Sequence, residues 1–205
     1  MRKLSGGAEA ELYEDSVVGL RAVLKRRSEK SYRVRELDQR IRLSRTRTEA
    51  RVMGRAAKLI RCPAVLMVGR YDLWLERIEG ATLNVLVERG SLSKVRLRTL
   101  AGRAGSYLGK LHRNGIVHGD YTSANLMLDG EGLLWVIDFG LAVESSASEE
   151  MALDVLLMKR SIPADAFASF ENGYRSVFSG SNTVLGKLRE IERRGRYQTR
   201  SLQTA

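Results

Sequence analysis

The chain has 205 residues, 43% apolar and 29% charged, with two prolines, a balance that buries a core and excludes a disordered or linker-rich protein. That length fits one domain or two small lobes sharing a cleft, and it excludes a large multi-domain assembly. The net charge of +11 points to an anionic partner such as a nucleotide, a nucleic acid or an acidic protein surface.

The charge is concentrated. Between Arg21 and Arg61, 15 lysines and arginines stand against four acidic residues, a surplus equal to the net charge of the whole chain. No apolar stretch approaches the ~18 residues that span a bilayer. The N-terminus is basic but runs into glycine and glutamate, so a secretory signal is not expected. A lone cysteine, Cys62, cannot form an internal disulfide, and the expected location is the cytoplasm, with no membrane contact.

In chain order, residues 1–30 read as a small antiparallel sheet: a short apolar start, Gly6-Gly7, a strand from Ala10 to Tyr13, a turn bounded by Glu14-Asp15-Ser16 and Gly19, and a strand through Leu20–Leu24. From Val34 to Ile60 the pattern is helical, with Leu37 and Ile41 four apart and then Glu49, Met53, Ala56 and Ile60 on one face. Two strands, Ala64–Val68 and Tyr71–Glu76, flank a turn at Gly69-Arg70. A long helix is expected from Ser93, a residue type suited to an N-cap, to about Gly115, with Leu97, Leu100, Ala104, Leu108 and Leu111 on one stripe. Leu126–Leu128 and Leu133–Ile137 face each other across Asp129-Gly130-Glu131-Gly132, a hairpin signal. Helices follow over Met151–Lys159 and, after Pro163, over Asp165–Phe178, with Phe167, Phe170, Tyr174 and Val177 on one face. The expected domains are a sheet-based lobe over 1–80, a reduced helical lobe over 81–190 and a basic tail over 191–205.

The chemistry concentrates in His118-Gly119-Asp120-Tyr121-Thr122-Ser123-Ala124-Asn125, followed after the hairpin by Asp138-Phe139-Gly140. Phosphoryl transfer from ATP needs a carboxylate to orient the attacking hydroxyl and oxygen ligands for Mg²⁺ on the phosphates. Asp120 and Asn125 are spaced as in a kinase catalytic loop, and Asp138 leads an Asp-Phe-Gly after a buried strand. Asp120 is the candidate proton acceptor, and Asn125 and Asp138 are the candidate Mg²⁺ ligands. Lys25, ending the third strand, is placed to reach the α and β phosphates. Glu49, 24 residues on, stands on the apolar face of the basic helix with Met53 four residues ahead, so no local cation explains it and an ion pair with Lys25 is expected. Gly6, Gly7, Ala8, Glu9 and Ala10 lie between the first strands, where flexible backbone covers phosphates. Backbone groups of Glu76 and Ile78, between the lobes, are candidates for adenine binding.

These segments resemble the small atypical Ser/Thr kinase subunit of the KEOPS complex, a relative of the RIO kinases. The likeness runs over nearly the whole chain. It is carried by Gly7-Ala8-Glu9-Ala10, Lys25-Arg26-Arg27, Lys30-Ser31-Tyr32-Arg33, Leu37-Asp38, Arg45-Thr46 with Glu49-Ala50, Leu75-Glu76-Arg77-Ile78-Glu79-Gly80, His118-Gly119-Asp120 and Asp138-Phe139-Gly140-Leu141-Ala142. The resemblance implies an α+β, minimal bilobal kinase-like fold, with a small antiparallel-sheet N-lobe and a reduced helical C-lobe. It also implies ATP and Mg²⁺ as ligands, and autophosphorylation or ATP hydrolysis. The implied partners are a larger catalytic subunit making the threonylcarbamoyl modification of tRNA, the other KEOPS subunits and tRNA itself within that complex.

Two departures from regulated protein kinases support this reading. Gly119 stands where an arginine would pair with an activation-segment phosphate, and no Ala-Pro-Glu follows Asp138-Phe139-Gly140. Asp154 matches a family position after Asp138-Phe139-Gly140, which implies a brace for the catalytic loop; read from the residues alone it is a helix-surface aspartate. Arg193-Arg194-Gly195-Arg196 resembles the family's basic tail, while the residues beyond are less basic. One alternative is a small-molecule phosphotransferase of the aminoglycoside or choline kinase type, which also uses His-Gly-Asp. That reading needs a substrate-binding extension and an acidic pocket. The other is a non-catalytic scaffold binding nucleotide and RNA, which has no need of the full set Lys25, Glu49, Asp120, Asn125 and Asp138. Arginines of the basic segment, Arg42 and Arg51 among them, are expected to face the larger anionic assembly.

Overall fold

The computed structural model describes residues 1–6 and 10–203. Its N-terminal lobe is an antiparallel sheet of β1 (Arg2–Gly6), β2 (Ala10–Val17), β3 (Leu20–Arg27), β4 (Val65–Val68) and β5 (Asp72–Glu76), with α1 (Arg35–Ala56) inserted between β3 and β4. The strand order is β1-β2-β3-β5-β4. The β2–β3 turn is shorter than the sequence suggests. Glu14, Asp15 and Ser16 remain in the strand, paired with Val23, Ala22 and Arg21. The chain reverses at Val18 and Gly19, both with positive φ, 49° and 80°. A two-residue turn of that hand matches the twist of the flanking strands, which is why the sheet accepts a valine in the left-handed region.

Helix α1 departs from the sequence pattern in its first turns. Leu37 is exposed, while Asp38 is buried with Thr46, Glu49, Val52, Met53 and Ala56. Asp38 tolerates burial because its carboxylate accepts from Arg42 Nε at 2.6 Å and from the Lys30 N–H at 3.3 Å, and Arg33 lies 3.7 Å away. Ion pairs thus outweigh the apolar periodicity there.

The C-terminal lobe begins with β6 (Gly80–Thr82), which leads into α2 (Leu83–Glu88), then α3 (Lys94–Arg113) and β7 (Ile116–Val117). β6 pairs with β8 (Leu126–Asp129), and β8 with β9 (Leu134–Val136). β10 (Val143–Glu144) pairs with β7. Helices α4 (Ser148–Ser161), α5 (Ala164–Arg175) and α6 (Ser181–Gln203) complete the lobe. Ser93 caps α3 by accepting the Arg96 N–H, and all five residues of the expected α3 stripe are buried. α3 and α5 approach to backbone contact: a Cβ on Gly105 would lie 1.9 Å from the Phe170 carbonyl oxygen, and one on Gly173 1.9 Å from that of Gly102. Glycine is required where helix backbones touch.

β6, α2, β7 and β10 are too short to leave a periodic signature, and none is evident in the sequence. Helix α6 crosses the expected boundary at residue 190 and runs through Gln203. Among the described residues no helix is long and apolar enough to cross a membrane.

Candidate active site

Between the lobes lies a cavity of about 360 Å³. Leu4, Leu12 and Val23 of the sheet line it on one side and Met127 and Ile137 of the C-terminal lobe on the other, a mostly apolar cavity with a few polar groups, as small-molecule sites are. Glu76 and Ile78 line its edge, and Lys25, Asn125 and Asp138 its polar end. Ile78 thus stands with Glu76 on the connection between lobes. The Glu76 side chain contributes more than the sequence suggests. Its carboxylate accepts the Ala64 N–H at 3.1 Å while its own N–H donates to the Ala64 carbonyl at 2.8 Å, clamping the start of that connection.

Lys25 is 7% exposed and Glu49 2% exposed. Lys25 Nζ donates to Glu49 Oε1 at 2.6 Å and to Asp138 Oδ1 at 2.7 Å. The expected ion pair is present, with one addition: Arg27, 4% exposed, donates to Glu49 Oε2 at 2.6 Å. One carboxylate therefore joins two buried cations. The signal for Arg27 was its spacing, since residues two apart on a strand share a face. A buried charge is tolerated only when paired and hydrogen-bonded, and each member of this trio is.

The segment His118–Asn125 is fixed from three sides. A 3-10 turn at Ser123–Asn125 brings Asn125 back to Asp120, where Asn125 Nδ2 donates to the Asp120 carbonyl and to Asp120 Oδ2, both at 2.8 Å. This spends the amide nitrogen and leaves Oδ1 available to a cation. From below, the Asp154 carboxylate accepts the N–H groups of His118 at 2.7 Å and Gly119 at 2.8 Å and faces His112 Nε2 at 3.2 Å. His112 Nδ1 in turn meets the Tyr174 hydroxyl at 2.7 Å. Asp154 is 1% exposed; of its two readings, the brace holds. At the third side Phe139 turns into the core, its ring 4.7 Å from that of His118.

Asp138 then faces the opposite way, into the cleft. Its φ of 58° is a left-handed conformation that aspartate tolerates better than most residues and that recurs where strain serves a site. Desolvation alone would raise its pKa, but the Lys25 charge and hydrogen bond, the Gly140 N–H and His118 outweigh it, and the carboxyl is held below the ordinary value. His118 is fully buried, and desolvation lowers its pKa against the pull of Asp154, Asp138 and Asp120.

Of the glycine-loop candidates, Gly6 ends β1 and Ala10 opens β2, buried at the sheet; Gly7, Ala8 and Glu9 lie outside the described residues. Gly119 has φ 80°, and a Cβ there would lie 2.4 Å from the Leu141 carbonyl oxygen. An arginine at this position is excluded by the backbone itself. Among the described residues no cluster of three His, Cys, Asp or Glu forms a metal cage. Asp138 and Asn125 instead offer two hard oxygen donors beside a cavity, which suits an ion such as Mg²⁺ that keeps most of its ligands from water and phosphate.

The two lobes and the interlobe cavity, with Asp120 and Asp138 beside it, have the architecture of a protein kinase-like fold. The model of the protein kinase domain family matches residues 22–161. Over 219 aligned residues the chain is 36% identical to the KEOPS complex subunit Bud32 of Pyrococcus abyssi, covering 98% of each. It is also 38% identical over 202 residues to the probable bifunctional tRNA threonylcarbamoyladenosine biosynthesis protein of Methanosarcina mazei, and 34% identical to that of Methanothermobacter thermautotrophicus. In both cases 95% of this chain aligns, but it spans only about a third of the bifunctional relative, 35% and 36%. The chain belongs to the protein kinase family and, within it, to the family of the KEOPS subunit Bud32.

Proposed function

We infer that the chain is an ATP-dependent Ser/Thr kinase and ATPase that acts as a regulatory subunit of a KEOPS assembly in the threonylcarbamoyladenosine modification of tRNA. The observation that carries the catalytic half is the convergence of Lys25, Asn125 and Asp138 at one end of an apolar interlobe cavity, with Asp120 held by Asn125. The assembly half rests on the relatives, one named as a KEOPS subunit and others for tRNA threonylcarbamoyladenosine biosynthesis. The proposed partners are a larger threonylcarbamoyl-transferring subunit, the other subunits and tRNA.

In this reading the cavity beside Leu4, Leu12 and Val23 takes adenine, with backbone groups of Glu76 and Ile78 at its edge. Lys25 gives up Asp138 for the α and β phosphates, while Arg27 keeps its hold on Glu49. Asp138 and Asn125 would hold Mg²⁺, whose charge offsets that of the phosphates during transfer. Asp120 orients the attacking hydroxyl, of a serine, a threonine or water, and accepts its proton as the phosphorus–oxygen bond forms. The bond to the leaving ADP oxygen breaks in the same displacement. The packing of Gly119 against Leu141 leaves no place for a phosphate-reading arginine, which fits an enzyme not switched in that way.

The test is ATP turnover by the full chain with Mg²⁺, set beside Asp138→Ala and Asp120→Asn. Asp138→Ala is expected to weaken Mg-ATP binding and turnover together. Asp120→Asn should cost ~10² to 10⁴-fold in kcat with nucleotide binding retained. Wild-type protein that binds Mg-ATP but neither hydrolyses it nor phosphorylates any hydroxyl would return the chain to the scaffold reading.

A further inference from the structure

Glu144 is the point at which α1 meets the segment following Asp138-Phe139-Gly140. Two α1 arginines one turn apart converge on it: Arg51 Nη1 lies 2.6 Å from Oε2, and Arg55 Nη1 bonds Oε1. Arg55 also donates through Nη2 to the Asn114 carbonyl at 2.9 Å. Glu144 is itself fixed in the backbone. It pairs with Ile116 across β10 and β7, and the next N–H, of Ser145, donates to the Gly115 carbonyl at 3.0 Å. β7 runs directly into His118-Gly119-Asp120. Helix α1 also carries Glu49, two residues before Arg51, so whatever sets the position of α1 sets the reach of Glu49 to Lys25.

We propose that Glu144 is a positioning residue, a built-in carboxylate that anchors α1 to the strand leading into the catalytic loop and so keeps Glu49 within reach of Lys25 without any added phosphate. The inference rests on the nucleotide-turnover reading above. It explains the arrangement at Gly119: where the backbone excludes an arginine beside Asp120, the pairing of charge across this junction is made by Arg51, Arg55 and an encoded acid. The two arginines hold the Glu144 carboxyl below its ordinary range, the Arg55 hydrogen bond contributing most, so the anchor stays charged through neutral pH.

Ion pairs this exposed are individually weak, and two together shift the position of α1 by roughly three- to tenfold in equilibrium. Glu144→Gln in the full chain should therefore lower kcat by about that factor while leaving the thermal midpoint nearly unchanged, and backbone amides of α1 should exchange hydrogen faster. Arg51→Gln/Arg55→Gln should act likewise. The triple variant should lose no more than either parent, the non-additivity expected of one shared interaction. Unchanged kcat and exchange in Glu144→Gln, or losses that simply add, would overturn the proposal. Absent turnover in the wild-type chain would instead refute the reading beneath it, and α1 exchange would still report whether the anchor exists.

Discussion

Glu49 illustrates how a single residue holds this site together. Its carboxylate is shared between Lys25 and Arg27 in a buried setting, so removing it breaks two buried ion pairs at once, whereas removing Lys25 leaves the Arg27–Glu49 pair intact. Breaking a buried ion pair typically costs ~3–5 kcal/mol. Glu49→Ala is expected to lose stability on that scale in urea unfolding, and Lys25→Met distinctly less, although both abolish turnover. Equal losses would mean that Arg27 does not hold Glu49 independently. His118 supplies a pH dependence. Burial lowers its folded-state pKa below the ordinary value of 6.5, so the unfolded chain takes up the proton first. Its contribution to stability is then complete above about pH 6.5 and is lost as the pH falls from there through the lowered folded value. The unfolding midpoint should decline with acidification in that window, and the decline should flatten in His118→Asn; an identical slope in the variant would assign it to other groups.

Among the elements, the α3–α5 contact fixes the base of the site, because α3 delivers His112 and α5 delivers Tyr174 to the chain that ends at Asp154. Gly105 lets the two helices meet at backbone distance. Gly105→Ala forces its methyl group against the Phe170 carbonyl, and overpacking of this kind costs roughly 1–3 kcal/mol. The variant should unfold at lower denaturant concentration; a Gly105→Ala protein as stable as wild type would show that the helices separate freely. The periodicity of α3 was legible because its whole apolar stripe is buried. The first turns of α1 were misleading for the opposite reason, since Asp38 satisfies its burial through Arg42 and Lys30, from a turn away and from the preceding loop.

Over the whole molecule the excess charge is gathered on α1 and its flanks, yet the arginines there are not equivalent. Arg42 is bound by Asp38 and lies 4.0 Å over the Tyr71 ring, and Arg51 is bound by Glu144. Each therefore shares its charge with an acid of this chain, a pairing the expectation from sequence did not include. Arg40 and Arg47 are exposed, seven apart and so on one side of the helix, and among the described residues they make no ion pair. Arg40→Glu/Arg47→Glu should weaken tRNA binding and reduce its log-log salt dependence by about 0.7–0.9 for each phosphate no longer neutralised, with ATP turnover unchanged. Binding that is indifferent to the reversal at low and moderate salt would make this face merely solvated.

Sequence by itself determined the main strands of the N-terminal sheet, helices α1, α3, α4 and α5, the hairpin before Asp138, the location of the charge and the residue types of the site. Those follow from local rules: periodicity, turn chemistry, and fixed spacings such as that between Asp120 and Asn125. Only the tertiary structure decided which charges are spent. Arg27 on Glu49, Asp154 beneath His118 and Gly119, Glu76 on Ala64 and Glu144 between two arginines are all pairings across distant segments. Their free energy comes from burial and from the partner's position, neither of which is encoded near the residue in the chain. Gly119 spans both cases, since its identity is legible in sequence, but the reason for it, the Leu141 carbonyl against its Cα, exists only in the folded chain.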